Sequence, residues 1–218
     1  MREFLLQILR AVGLFHPLRD RRREGRFREL SRRKVAEWEA AGRPVPPPDW
    51  IKYGVIRELA RQHSTPVLVE TGTFYGNAIF TLRHDFREIH TIELAPELHE
   101  RNTRELAHLR HIHVHLGDSA TVLPALTAKI DGPALYWLDG HFCSGPSARA
   151  DSDTPIGAEL EHLLGRPPGQ NVVLIDDARL FTGEGDYPSV DTLRELIQRR
   201  RPQATFAVNL DIIRIFPV

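Results

Sequence analysis

Five times after residue 66 a short strand-like segment is followed by a helix-like one, and this alternation restricts the chain more than any other feature. The strand-like segments are Val67–Val69, Glu88–Glu93, His111–Leu116, Ala134–Leu138 and Val172–Ile175. Runs this short and this apolar suit strands buried on both faces, as in parallel sheets. The intervening segments Asn77–His84, Pro96–His108, Ser119–Ala128, Thr154–Leu164 and Ser189–Arg200 read as helices. Pro96 stands where a helix tolerates proline, in its first turn. A further helix over Trp50–Gln62 precedes the first strand. Alternating strands and helices predict a doubly wound α/β sheet. Two last strands, Ala204–Val208 and Ile212–Phe216, are joined only by Asn209-Leu210-Asp211. A parallel crossover needs a dozen residues or more, so one of these two must run antiparallel. The expectation is a seven-stranded, mostly parallel sheet with an antiparallel C-terminal hairpin.

The chain has 218 residues, enough for one domain with an appendage. Its net charge is zero, but the charge is unevenly placed. Residues 1–43 carry twelve Lys or Arg against six Asp or Glu; the remainder carries seventeen against twenty-three. This reads as a basic, helical N-terminal arm on a mildly acidic domain. Phe4, Leu5, Ile8, Leu9 and Val12 fall at helical spacing, and a second helix with Leu30, Val35 and Trp38 follows the arginines of 19–28. Gly42-Arg43-Pro44-Val45-Pro46-Pro47-Pro48 is a stiff linker that no helix crosses. The arm and linker are therefore assigned to 1–49 and the folded domain to 50–218. Residues 1–35 would dock on a membrane surface, on a second chain, or on their own domain. A secretory signal fits poorly, because the strongest charge cluster follows the apolar part. With no apolar run near 20 residues, the expected location is cytoplasmic, or peripheral at a membrane. The acidic domain lacks the basic excess of a nucleic-acid binder, so no nucleic-acid partner is expected. Cys143 is the sole cysteine, which excludes an internal disulfide and a Cys-built zinc site.

In open α/β sheets ligands sit beyond the carboxyl ends of the strands. The first exit reads Glu70-Thr71-Gly72-Thr73-Phe74-Tyr75-Gly76. Gly72 and Gly76 permit a tight turn and a close backbone approach. The pattern is not the G-x-G-x-x-G of dinucleotide binders, and Glu70 would repel a pyrophosphate while suiting an ammonium. The second exit ends at Glu93, 21 residues past Gly72, the distance at which nucleoside-binding folds place an acid on the ribose. The third, Gly117-Asp118-Ser119, offers Asp118 as a helix cap or an acceptor for an adenine amino group.

Glu-Thr-Gly-Thr-x-x-Gly, Ile-Glu-Leu and Gly-Asp-Ser at three successive strand ends resemble the class I S-adenosylmethionine (SAM)-dependent methyltransferases, over about residues 50–218. The resemblance implies their Rossmann-like fold and SAM as cofactor. It implies that Glu70, Gly72, Thr73 and Gly76 hold the methionine part, Glu93 the ribose, and Asp118 with Ser119 the adenine side.

The fourth exit is Asp139-Gly140-His141 and the fifth Asp176-Asp177-Ala178-Arg179. Three carboxylates in one cleft repel unless a cation compensates them. Oxygen ligation favours Mg²⁺, Ca²⁺ or Mn²⁺. This arrangement is similar to the metal-dependent catechol-type and antibiotic-sugar O-methyltransferases, which implies Asp139, Asp176 and Asp177 as metal ligands. The ion would lower the pKa of the acceptor hydroxyl. His141 is the first choice of general base, since histidine titrates near neutrality. The loop 142–153, with Arg149, would cover the acceptor. His111, His113 and His115 share one face of the third strand; at a sheet edge they read as solvated, with Ile112, Val114 and Leu116 pointing inward.

The expected activity is thus methyl transfer to a hydroxylated small molecule, a sugar or glycosylated metabolite, assisted by a divalent metal. The alternatives are a non-catalytic binding or scaffold protein on the same fold, and an NAD-linked dehydrogenase, which the missing glycine fingerprint disfavours.

Overall fold

The computed structural model describes residues 15–140 and 154–218. His141, the loop 142–153 with Cys143 and Arg149, and the Phe4–Val12 stripe lie outside the described residues. The elements run α1 (Phe15–Ala40), α2 (Asp49–Gln62), β1 (Val67–Thr71), α3 (Asn77–Leu82), β2 (Glu88–Glu93), α4 (Pro96–Leu106), β3 (Ile112–Leu116), α5 (Ser119–Thr127), β4 (Ala134–Leu138), α6 (Ile156–Gly165), β5 (Val172–Ile175), α7 (Val190–Arg200), β6 (Thr205–Asn209) and β7 (Ile212–Phe216).

The sheet order is β3-β2-β1-β4-β5-β7-β6. All neighbours up to β5 pair in parallel, and β7 is antiparallel to both β5 and β6. The antiparallel strand is therefore inserted between β5 and β6 and is not an edge strand. The connecting turn has positive φ at both Leu210 and Asp211, the twist a two-residue hairpin loop requires.

Alternate residues of each strand feed two cores. Val67, Val69, Tyr136, Leu138, Val173 and Ile175 pack under α5, α6 and α7. Leu68, Ile89, Leu135, Trp137, Val172 and Leu174 pack under α2 and α3, meeting Tyr53, Ile56, Leu59, Ile79 and Phe80. Burial on both faces is why the strands read as continuous apolar runs.

Of the two helices expected in the N-terminal segment, the second, with Leu30, Val35 and Trp38, is present and begins earlier than expected. One helix of 26 residues crosses the arginine stretch. Arginine and glutamate are good helix formers, and Arg28–Glu24, Arg33–Glu37 and Arg43–Glu39 pair one turn apart. This helix rests on the domain through polar contacts and through Phe27, which packs against Trp50 and Tyr53 of α2. Arg19 Nη2 donates to the Glu105 carbonyl at 2.8 Å, and Arg23 Nη1 to Glu105 Oε2 at 3.0 Å. Arg83 Nη2 reaches Glu24 Oε2 at 2.8 Å. Arg23 also stacks over the Phe80 ring.

The histidines of β3 depart from a uniformly solvated row. His113 is exposed, but His115 is half-buried and its Nε2 lies 3.1 Å from His90 Nδ1 on β2. His111 Nε2 is 2.7 Å from the Arg83 carbonyl oxygen. Burial, with the neighbouring imidazole of His113, holds His90 down to about 4, so that ring is neutral at physiological pH. Burial, His113 and Lys129 likewise hold His115 below its ordinary range. Leu116, expected inside, is 48% exposed at the strand's carboxyl end.

Candidate active site

Strand order reverses between β1 and β4, whose neighbours lead off in opposite directions. A doubly wound sheet opens its ligand crevice there. The two strand exits are fastened together. Asp139 N–H donates to the Thr71 carbonyl at 3.1 Å. Gly72 has φ +89°, and a Cβ on it would lie 2.4 Å from the Asp139 carbonyl oxygen. The glycine is thus required by the β4 backbone as well as by the turn. Gly76, at φ +65°, opens α3. Between them Phe74 holds φ 48°, a costly conformation for a bulky residue that persists only when its surroundings fix it. Two side chains do so: Phe74 N–H donates to Glu93 Oε2 at 2.7 Å, and Asn102 Nδ2 donates to the Phe74 carbonyl at 2.6 Å.

Glu93 is buried, and its other oxygen accepts from Ala95 N–H at 2.9 Å. Each oxygen retains a lone pair for a further donor. Asp118 caps α5 by accepting from Ala120 N–H at 3.0 Å, and Ser119 follows it, buried. Glu70 is buried under this loop. Thr91 Oγ1 donates to its Oε2 at 2.5 Å, and Thr73 Oγ1 sits 2.6 Å from the Thr91 hydroxyl. Burial pushes Glu70 up to about 8. Phe74, Tyr75 and Leu116 are exposed apolar side chains at the same end of the sheet.

The exits of β4 and β5 hold a different arrangement. Lys52, from α2, places its Nζ 2.5 Å from Asp176 Oδ1 and 2.9 Å from Asp177 Oδ1. Asp177 stands at φ 55° and also receives Arg179 Nη1 at 2.7 Å; Arg179 donates in turn to Asp211. All three aspartates and Lys52 are buried. Burial works against the Lys52 charge, but the two aspartates outweigh it and raise its pKa. Burial, eased by Lys52, still leaves Asp176 raised to about 6.

This bears directly on the expected metal ligands. The ammonium of Lys52 and the guanidinium of Arg179 supply the compensating charge assigned to a divalent ion. Among the described residues, the one group of three His, Cys, Asp or Glu ligand atoms lying within 4.8 Å of one another is Glu88, His90 and His113, not Asp139, Asp176 and Asp177. As arranged, the aspartate set does not fit Mg²⁺, Ca²⁺ or Mn²⁺, because a cation already lies on two of its three members.

Three residues of this end carry no local sequence motif. Lys52 is one. Tyr53, beside it, is raised well above its ordinary range by burial and by the nearby acids Asp49, Glu70, Asp139 and Asp176. The third is Glu159 of α6, 1% exposed, with neither carboxylate oxygen hydrogen-bonded among the described residues. Burial raises it to about 7; the Ser119 and Thr71 hydroxyls lie near enough to lower it, without closing a bond of ordinary geometry. It lines a small cleft with Gly140, Thr154, Asp176, Phe181 and Tyr187. Two of the three had a faint signal. Lys52 falls on the Ile56–Leu59 stripe of its helix, and Glu159 on the Ile156–Leu160–Leu163 stripe. A charged residue on an apolar stripe is buried for a reason.

Comparison with family models and with curated protein sequences finds no match. Solved structures do match. The O-methyltransferase TomG from Streptomyces achromogenes, involved in tomaymycin synthesis and bound to SAM, superposes with a TM-score of 0.55 at 19% identity, covering 86% of this chain and 88% of that one. The chain has a methyltransferase fold. An O-methyltransferase from Bacillus cereus bound to S-adenosylhomocysteine (SAH) gives 0.54 at 16% identity, over 86% of this chain and 90% of that one. A putative caffeoyl-CoA O-methyltransferase from Staphylococcus aureus gives 0.51 at 14% identity, over 91% and 99%. The seven-stranded sheet with its antiparallel C-terminal hairpin agrees with the loop-length argument and the resemblance; the insertion of β7 between β5 and β6 was not foreseen.

Proposed function

We propose that the chain is a SAM-dependent O-methyltransferase acting on a hydroxylated small molecule, of the sugar or glycosylated-metabolite kind. The observation that carries this reading is the convergence, at the switch between β1 and β4, of the Gly72–Gly76 loop, Glu93 and Asp118 from three consecutive strand exits. The residues present fit the cofactor. Glu93 keeps free lone pairs for ribose hydroxyls. Asp118 and Ser119 border the adenine side, with Leu116, Phe74 and Tyr75 as apolar cover for a ring. Glu159 is a buried carboxyl group whose oxygens have no hydrogen-bond partner among the described residues, which suits the ammonium of a bound amino acid group, and Glu70, pushed up to about 8 by burial, stands nearby as a neutral acid.

Bound SAM would supply an electrophilic methyl group on a sulfonium. The chain's own part is to bind, orient and deprotonate. Asp139, at the β4 exit, and the Lys52–Asp176–Asp177–Arg179 network form the floor on the acceptor side. In that network Lys52 takes the place of the divalent ion, so no step is routed through a metal. His141, two residues past Asp139 in sequence, would accept the proton of an acceptor hydroxyl oriented against that floor.

The test is transfer of a labelled methyl group from SAM to a panel of polyhydroxylated small molecules, with and without EDTA. Transfer that survives EDTA and falls in His141→Gln, with SAH affinity kept, supports the reading. Transfer lost on chelation and restored by Mg²⁺ would return Asp139, Asp176 and Asp177 to the role of ligands. No transfer to any acceptor by a chain that binds SAH would favour the scaffold alternative.

A further inference from the structure

Glu88, His90 and His113 lie on one face at the β3 edge of the sheet, outside the crevice described above. Parallel register sets His90 directly beside His113, and Glu88 two residues earlier on β2 shares their face. Glu88 Oε1 is 3.2 Å from His90 Nε2 and 3.4 Å from His113 Nε2, and the three ligand atoms all lie within 4.8 Å of one another. The two imidazole rings stack at 4.8 Å with a 21° tilt. Four donors held tetrahedrally about 2.0–2.1 Å from a zinc ion lie about 3.3 Å apart. The two carboxylate–imidazole spacings match that edge length.

A second feature is independent of these distances. The far nitrogen of His90, Nδ1, faces His115 Nε2 at 3.1 Å. Metal-bound imidazoles nearly always donate their other N–H to an acceptor that fixes the ring. His115 is half-buried and stacked on His90, and it is in position to be that acceptor.

We propose that Glu88, His90 and His113 bind a zinc-class divalent transition metal, with His115 orienting His90 and water completing the coordination. Two imidazoles and one carboxylate with a free position favour zinc over Mg²⁺ or Ca²⁺, which prefer oxygen donors. Without the ion, the Nε2–H groups of both rings point at the shared acceptor Glu88 Oε1. On binding, His90 keeps its one proton, moves it from Nε2 to Nδ1 and donates it to His115 Nε2, whose own proton shifts to its Nδ1. His113 is exposed and gives the ion a path from solvent.

The experiment is calorimetric titration of the full, tag-free, metal-stripped chain with Zn²⁺ alone, with Co²⁺ absorption as a second readout. The expected result is one ion per chain and the intense visible bands of four-coordinate Co²⁺, with no heat from Mg²⁺. His113→Ala is exposed and tolerable to the fold, and should lower affinity by more than about 100-fold. His115→Asn, removing only the orienting group, should cost about 10- to 100-fold. His63→Ala, distant from the cluster, should change nothing. Absence of Zn²⁺ binding would overturn the proposal. So would binding that is unchanged in His113→Ala, which would place the ion on other histidines. These outcomes do not depend on methyl transfer and leave the crevice reading as it stands.

Discussion

The two halves of the crevice hold their acids in opposite ways. On the side of β1, β2 and β3, Glu93 and Asp118 are satisfied by backbone N–H groups of Phe74, Ala95 and Ala120. On the side of β4 and β5, Asp176 and Asp177 are satisfied by side-chain cations, and Lys52 comes from a helix 124 and 125 residues away in sequence. Backbone donors leave a carboxylate its charge and spare lone pairs, so the first half remains competent to bind a polyhydroxylated ligand. Side-chain cations offset charge, so Asp176 and Asp177 are already paired before any ligand arrives. The same residue type at the same position in a strand thus does two jobs, decided by what faces it.

The largest effect should come from breaking the second half. Lys52→Met removes the cation that bridges the buried Asp176 and Asp177. A loss of about 3–5 kcal/mol of stability is expected, read by urea unfolding. Millimolar Mg²⁺ should recover part of it in Lys52→Met and none in the parent chain. Equal stability of the two proteins would show that the ammonium is not the compensating charge.

A smaller effect tests Glu159, on the border between the halves. Its pKa of about 7 in the folded chain lies above the ordinary 4.5, so the folded state holds a proton that the unfolded chain has lost. Its contribution to stability is full below pH 4.5 and is lost as pH rises through about 7. Glu159→Gln should therefore leave the stability near the parent value at pH 5 and raise it at pH 8 by up to roughly 3 kcal/mol in the absence of ligand, with Tm rising accordingly. A raised Tm at both pH values would point to simple packing instead. In the first half, Asp118→Ala removes a helix cap and should cost about 1 kcal/mol, read by the same unfolding assay.

The first half was legible in the sequence because its geometry is local. Gly72 and Gly76 bracket one turn, and Asp118 caps the helix that starts at the next residue. The β strands were legible because burial on both faces writes them as apolar runs. The second half was only half legible: the aspartates stand at strand ends, where a motif can be read, but Lys52, Tyr53 and Glu159 reach them through tertiary packing. The extent of α1 was not legible for a related reason. Its inner contacts are ion pairs with α4 and Arg83 and the single apolar residue Phe27, which make no apolar stripe to mark a docked face. The His90–His113 pairing followed from strand register, which no segment shows alone.

Calorimetric titration with SAH tests the central claim most directly. The parent chain should bind one molecule. Glu93→Ala should weaken binding by about 1.5–3 kcal/mol, roughly 10- to 150-fold, the size of hydrogen bonds to a charged group. Asp177→Asn, in the other half, should leave the affinity as it is. No binding by the parent chain, or equal affinity in the parent and in Glu93→Ala, would contradict the account.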